Sequence, residues 1–107
     1  MNNMEQIIFE IISYGGTAKA IVYEAMAAAQ NGKFDEAEEL LKEADENLVH
    51  AHQIQTNLIQ EEARGEHHPV TVLFVHAQDH LMEAMEVRSL ADNIINLNRR
   101  LAVLETR

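Results

Sequence analysis

The sequence predicts an all-α protein, because its composition, its scarcity of turn residues and its hydrophobic spacing agree. Ala, Leu, Ile, Met and Glu, which favour helices, dominate the 107 residues, whereas aromatic residues make up only 5%. One Pro and four Gly are too few for the turns of a many-stranded β fold. Two turn signals, Asn31-Gly32 and the segment 63–69, divide the chain into three pieces. We therefore predict a single domain over residues 1–107, folded as an antiparallel three-helix up-down-up bundle.

The first two pieces carry apolar side chains at helical spacing. In the first predicted helix, residues 3–30, Gly15-Gly16 either bends the helix or lets another backbone approach closely. Gly32 suits the left-handed backbone that ends a helix. The second predicted helix, residues 35–64, has an acidic face opposite its apolar one, which we interpret as a solvated surface. That acidic face comprises Glu36, Glu39, Glu43 and Glu46.

The third predicted helix, residues 69–104, begins at Pro69, because the missing N–H of proline is harmless at the first helical position. Its apolar residues cover an unusually wide arc at about 100° per residue. A helix with so wide an apolar arc is buried by more than two neighbours, so we expect part of it to contact another subunit. The core-facing stripe is predicted to comprise Val72, Leu73, Val87, Leu90, Ala91, Ile94 and Leu101, and the arc beside it Val70, Phe74, Ala77, Leu81, Met85 and Ile95.

Four ionisable residues interrupt the predicted core-facing stripe. His76, Asp79, His80 and Glu83 lie at positions i, i+3, i+4 and i+7 and therefore share one side of the helix. Such groups are unfavourable on a buried face unless they are paired or used. The residues alone leave three interpretations open. The histidines are buried and satisfied by the carboxylates, or they bind a metal with Asp79 as third ligand, or one histidine is a phosphoryl-accepting nucleophile oriented by a neighbour.

Charge and cysteine content exclude several classes of function. The 18 acidic and 8 basic residues give a net charge of −10, which argues against nucleic-acid and anionic-membrane partners, because phosphate binding needs clustered Lys and Arg. The absence of cysteine excludes disulfides, thiolate metal sites and thiol catalysis in this chain. Charged residues interrupt every apolar stretch before the ~20 residues of a membrane span, and the N-terminus lacks a basic signal-peptide region. We expect a cytoplasmic protein without direct membrane insertion.

At Val75-His76-Ala77-Gln78-Asp79-His80-Leu81-Met82 the chain resembles the lactose/cellobiose-type enzyme IIA of the bacterial phosphoenolpyruvate-dependent sugar phosphotransferase system. The likeness covers almost the whole chain. The other segments that resemble this family are Gly16-Thr17-Ala18-Lys19, Glu24-Ala25, Gly32-Lys33-Phe34, Ala37-Glu38-Glu39-Leu40-Leu41 and the helical stretch 51–60.

This resemblance implies a subunit that trimerises into a nine-helix bundle and acts as a phosphotransferase component. It implies that His76 takes a phosphoryl group from the carrier HPr and passes it to a cysteine of enzyme IIB. It implies that His80 orients His76 or stabilises the phosphoryl group, and that Asp79 from three subunits meets around one metal ion. Three converging carboxylates repel one another, and Mg²⁺ is the most plausible cation to offset that repulsion because it prefers oxygen ligands.

Two positions depart from the family pattern. Glu83 stands where Thr or Ser is usual and adds negative charge near His76, and Lys19 stands where Arg is common. Ala77 is more similar to the cellobiose/chitobiose-type members than to the lactose-type ones, so uptake of a β-linked disaccharide of the former type is favoured. The alternatives are a non-catalytic helical interaction module and a helical metal-binding protein with zinc on His76 and His80.

Overall fold

A computed structural model describes residues 3–106 as three antiparallel helices. They are α1 (Asn3–Gln30), α2 (Phe34–Ala63) and α3 (Val72–Glu105). The first helix packs along both others, whereas α2 and α3 contact each other much less. The predicted three-helix up-down-up arrangement is therefore confirmed.

Both connections use a glycine with positive φ to end the preceding helix. At the end of α1, Gly32 has φ 77°, and the backbone N–H of Lys33 donates to the carbonyl of Ala28 at 2.9 Å. At the end of α2, Gly65 has φ 90°, and the N–H of Glu66 donates to the carbonyl of Glu61 at 2.9 Å. These bonds satisfy carbonyls that a helix end leaves without partners, and they reverse the chain direction.

The third helix begins later than the sequence predicts. Pro69 is not its first residue, because α3 starts at Val72 and Thr71 is its N-cap. The Thr71 hydroxyl accepts a hydrogen bond from the backbone N–H of Phe74 at 3.1 Å. This bond satisfies a donor that the first helical turn leaves free, whereas proline at the first position supplies no such partner. The prediction gave weight to proline and overlooked the threonine cap.

The predicted core-facing stripe of α3 is only partly correct, because Ala91 is buried and Val87 and Ile94 pack against the core, but other members are exposed. The face that packs within the subunit consists of Ala77, Leu81, Ala84, Ala91 and Ile95, and most of it belongs to the arc predicted to lie beside the core. In the stripe predicted to face the core, Val72 is 88% exposed and Leu90 and Leu101 are more than half exposed. Alanines on the packed face let the helices approach closely, and several large apolar residues on the other side of α3 are left exposed. Although that outer side is apolar, no helix within residues 3–106 is long and apolar enough to cross a membrane.

The glycine pair in α1 serves close approach at one position only. A Cβ added to Gly15 would lie 3.6 Å from the Cα of Leu81 and 3.9 Å from the carbonyl carbon of His80. A Cβ added to Gly16 would meet nothing within 4 Å. Gly15 therefore brings α1 against the backbone of α3 at the residues that carry the polar cluster.

Polar side chains join α2 to α3 where these helices have few contacts. Arg88 donates from Nε and Nη2 to both carboxylate oxygens of Asp45, at 2.6 and 3.1 Å. Gln55 donates to Gln78 at 2.5 Å, and Gln78 lies in the stretch of α3 that carries the polar cluster. The Asp45 hydrogen bonds are the main reason why the pKa of Arg88 is raised above its ordinary value. These contacts fix how α2 lies against the helix that carries the candidate site.

Candidate functional site

The side chains of His76 and His80 are in direct contact on α3. Their Nε2 atoms are 3.0 Å apart, and the rings meet edge to face with centroids 4.4 Å apart and planes at 90°. A hydrogen bond between two ring nitrogens needs one proton, so one ring donates and the other accepts. When His80 donates, the acceptor His76 is protonated on Nδ1 and has a lone pair on Nε2. The contact thus couples the tautomers of the two rings: the donor carries its proton on Nε2 and the neutral acceptor carries its proton on Nδ1.

The two histidines differ in exposure. His76 is exposed, whereas His80 is half-buried. Between them lies Ala77, which is fully buried, and after them comes Leu81, which is also fully buried. The close approach of Gly15 holds this stretch of α3 against α1. The backbone that carries His80 is therefore held against the packed core, and the His76 ring is accessible to a partner.

A third ionisable residue, Glu83, lies on the same side of α3 as the two histidines. It forms an ion pair with Lys19 of α1. Lys19 Nζ on α1 donates to Glu83 Oε2 at 3.0 Å. The pKa of Glu83 is lowered, first by this hydrogen bond and the positive charge of Lys19, and less by His80 and His76, while partial desolvation acts in the opposite direction. Because the folded-state pKa is depressed, the pair is fully formed at neutral pH and is lost only as the pH falls through that lowered value.

Asp79 is exposed and lies apart from the histidine pair. At about 100° per residue it is rotated about 60° from His76 and about 100° from His80 around the helix. Among the described residues it has no side-chain hydrogen bond or ion pair. Within residues 3–106, no three His, Asp or Glu side chains come together in a way suited to a metal ion. A single subunit therefore does not assemble His76, His80 and Asp79 into the metal site considered from the sequence.

Asp79 belongs to a line of exposed positions along α3, which we call the outer seam. Successive members are three or four residues apart, the spacing typical of a coiled-coil contact line. Most of the exposed large hydrophobic side chains in the described part of the chain lie on this helix. The outer seam comprises Val72, Val75, Asp79, Met82, Glu86, Leu90, Asn93, Leu97, Leu101 and Leu104.

The remaining histidines lie elsewhere and have other neighbours. His50 stacks on Tyr14 with ring centroids 5.0 Å apart. His67 and His68 are within 3.2 and 2.6 Å of Glu62 and Glu61 at the end of α2. The structure thus separates these residues from the pair on α3.

Sequence reasoning missed that Lys19 and Glu83 contact each other. Both residues stand out in the sequence as departures from the family pattern, but 64 residues separate them. Their contact depends on the axial register of α1 against α3, which the packing of Gly15 on Leu81 sets. The signal in the sequence would be that Lys19 and Glu83 both depart from the family pattern and carry opposite charges.

Fold and sequence together define a bacterial sugar-phosphotransferase component. Residues 6–99 match the family described as "PTS system, Lactose/Cellobiose specific IIA subunit". The match covers most of the chain, and the chain belongs to this family.

Individual relatives agree with that assignment. The chain is 51% identical over 98 residues to the lichenan-specific phosphotransferase enzyme IIA component of Bacillus subtilis, covering 92% of this chain and 89% of the relative. It is similar to the cellobiose-specific enzyme IIA of Bacillus anthracis, with TM-score 0.93 and 45% identity over 96% and 94% of the two chains. It is also similar to a chain in the IIA(chitobiose)–HPr complex of Escherichia coli, with TM-score 0.81 and 31% identity over 95% and 99%.

Proposed function

We propose that this chain carries phosphoryl groups on His76, accepting them from HPr and passing them to a cysteine of enzyme IIB. The observation that carries this proposal is the 3.0 Å contact between the Nε2 atoms of His76 and His80. With His80 as the donor, this contact gives an accessible His76 imidazole a lone pair on Nε2 and places an N–H donor beside it. An exposed nucleophile is required because both partners are proteins that must reach it.

The chemistry is a pair of displacements at phosphorus. The Nε2 lone pair of His76 attacks phosphorus, a P–N bond forms, and the bond between phosphorus and HPr breaks with its electron pair left on HPr. His80 Nε2–H is released from His76 and becomes available to a phosphoryl oxygen. In the second displacement the IIB thiolate attacks phosphorus, and the electron pair of the P–N bond returns to Nε2.

HPr as donor is supported by the similarity to a chain of the IIA(chitobiose)–HPr complex. HPr and IIB both have to reach His76, so they share one docking surface and exclude each other. The sugar is a β-linked disaccharide of the cellobiose/chitobiose type. The relatives named for lichenan and cellobiose support that choice, as does Ala77.

Three copies of the chain associate through the outer seam of α3. Its spacing matches a coiled-coil contact line, and it leaves apolar residues such as Val72 and Leu97 at 88% and 57% exposure in the isolated subunit. A parallel arrangement of three α3 helices buries these side chains and produces a nine-helix bundle. His76, about 60° from Asp79 around the helix, then lies beside the contact line and remains reachable.

Asp79 is the residue of the seam suited to a shared cation. It is exposed and unpaired in the described subunit, and a parallel trimer brings three copies of its carboxylate to one level. Carboxylate oxygens fit Mg²⁺, which offsets their mutual repulsion. The ion would be structural, and the chemistry would remain with His76.

Incubation with phosphoenolpyruvate, enzyme I and HPr, followed by mass spectrometry, tests the carrier function. The wild type is expected to gain the mass of one phosphoryl group on His76, His76→Ala to gain none with its helical content intact, and His80→Ala to gain it more slowly. Phosphorylation of His76→Ala would refute the assignment. An unphosphorylated wild type would favour an interaction module, and one that instead bound zinc through His76 and His80 would favour a metal-binding protein.

A further inference from the structure

The ion pair between Lys19 and Glu83 lies beside the histidine pair. Glu83 is seven residues after His76 and three after His80, so the three side chains lie on one side of α3. Lys19 reaches it from α1 at 3.0 Å. The α1 backbone is held close to His80 through Gly15. The pair is therefore attached to the part of the fold that carries the phosphoryl acceptor.

A carboxylate beside a phosphohistidine is electrostatically unfavourable. The phosphoryl group brings about two negative charges, and Glu83 adds another on the same side of the helix. Like charges on neighbouring turns of one helix face repel each other, and solvent and salt weaken this repulsion without abolishing it. Left unpaired, Glu83 would disfavour the phosphorylated form of the chain. Lys19 removes most of that repulsion by neutralising the carboxylate.

The Lys19–Glu83 pair differs from an ordinary surface ion pair in this chain. The Lys19 side chain is 31% exposed, whereas Lys42 in its pair with Glu39 is 72% exposed. The Lys42–Glu39 pair joins residues three apart on one helix, but the Lys19–Glu83 pair joins two helices. Lys42 and Glu39 thus provide a matched pair of the same chemistry that lies away from the histidines.

We propose that Lys19 and Glu83 set, in opposite directions, how strongly His76 retains a phosphoryl group. Glu83 by itself lowers the stability of the phosphohistidine, and Lys19 acts through Glu83 by compensating its charge. The intact pair thereby holds the phosphoryl-transfer potential close to the value that the chain would have with neutral residues at both positions. This inference rests on the proposed carrier function.

Equilibration with a limiting pool of phosphorylated HPr measures this potential directly. Phosphorus NMR gives the ratio of phosphorylated chain to phosphorylated HPr. The variants are Lys19→Met, Lys19→Arg, Glu83→Thr, the double variant Lys19→Met/Glu83→Thr, and Lys42→Met as a control with the same change in net charge. Circular dichroism checks that each variant is folded.

We expect Lys19→Met to lower the ratio about three- to tenfold, because it leaves Glu83 uncompensated. Glu83→Thr raises the ratio, the double variant returns it close to the wild type, and Lys19→Arg and Lys42→Met stay within about twofold. A merely structural role for the pair would change the melting temperature without moving this equilibrium.

Two results would overturn the inference alone: an unchanged ratio in folded Lys19→Met, or a double variant as impaired as the single one. Failure of the wild type itself to take a phosphoryl group would overturn the proposed function, and this inference with it. The wild-type reaction in the same assay distinguishes the two cases.

Discussion

The two sides of α3 differ in what covers their apolar residues. The side packed within the subunit combines alanines with larger residues, and Ala77, Ala84, Ala91, Leu81 and Ile95 are all buried. The outer seam also carries large apolar residues, but Leu90, Leu97 and Leu101 are each more than half exposed. In a chain that functions as a monomer we expect such side chains to be inside, because each buries a large apolar area.

Hydrophobic spacing therefore locates the apolar faces of a helix, but it does not predict whether a helix of the same subunit or a second molecule covers each face. Alanine on the inner side permits close helix approach, as Gly15 does on α1. Leucine on the outer side leaves a large apolar surface that a second molecule can cover. The polar cluster lies where the two sides meet: His80 is half-buried and His76 is exposed. The candidate chemistry is thus at the border between intrasubunit packing and a free surface.

The comparison would be tested most strongly by one substitution on each side. Leu81 is fully buried, so Leu81→Ala is expected to lower the free energy of unfolding by about 2–5 kcal/mol. Leu97→Glu on the outer seam is expected to leave each subunit helical but to prevent association, because a charge replaces an apolar contact in each of three copies. Circular dichroism during denaturation measures the first effect, and light scattering measures the second.

The wild type is expected to scatter as about three times 12.1 kDa, and Leu97→Glu as a monomer. Val49→Glu is a suitable control, because Val49 is also an exposed apolar residue, at 67%, but lies on α2. A wild type that is monomeric at micromolar concentration would show that the outer seam has another purpose.

A smaller effect is expected when the proposed ion at Asp79 is removed. With the carboxylates ionised at neutral pH, chelation leaves like charges close together and is expected to destabilise the trimer by about 2 kcal/mol after screening. Differential scanning calorimetry with and without chelator measures the fall in melting temperature.

Asp79→Leu is expected to make the trimer insensitive to chelator and to stabilise it, since an apolar layer replaces a buried ionic one. Glu86→Leu is the matched control, because Glu86 is another exposed carboxylate of the same seam, one heptad further along. If the response to chelator disappeared in Glu86→Leu and persisted in Asp79→Leu, the ligand of the ion would be Glu86 and the proposal for Asp79 would be wrong.

Much of the fold was predictable from local signals. The bounds of α1 agree with the prediction, those of α2 differ by one residue, and α3 begins three residues later than expected because Thr71 supplies the cap. The proximity of His76 to His80 was predictable because both lie on one helix with i, i+4 spacing. The hydrophobic spacing did not predict which apolar residues of α3 are buried within the subunit, and it did not predict the contact of Lys19 with Glu83. Both depend on how helices are placed side by side, which a single helical pattern does not encode.

The smallest expected effect is the change in stability when a glycine of α1 is replaced by alanine. It tests whether another copy of the chain also covers α1. Gly16 faces open space in the subunit, whereas a Cβ on Gly15 would make an ordinary contact 3.6 Å from Leu81. If Gly16 remains in solvent, Gly16→Ala should stabilise the protein by about 0.5–1 kcal/mol through helix propensity alone. Gly15→Ala should gain less, because its methyl group must fit against the α3 backbone. Thermal unfolding of the two variants measures the difference. A destabilised Gly16→Ala with weakened association would place a neighbouring copy against α1, so the contact between subunits would include α1 as well as α3.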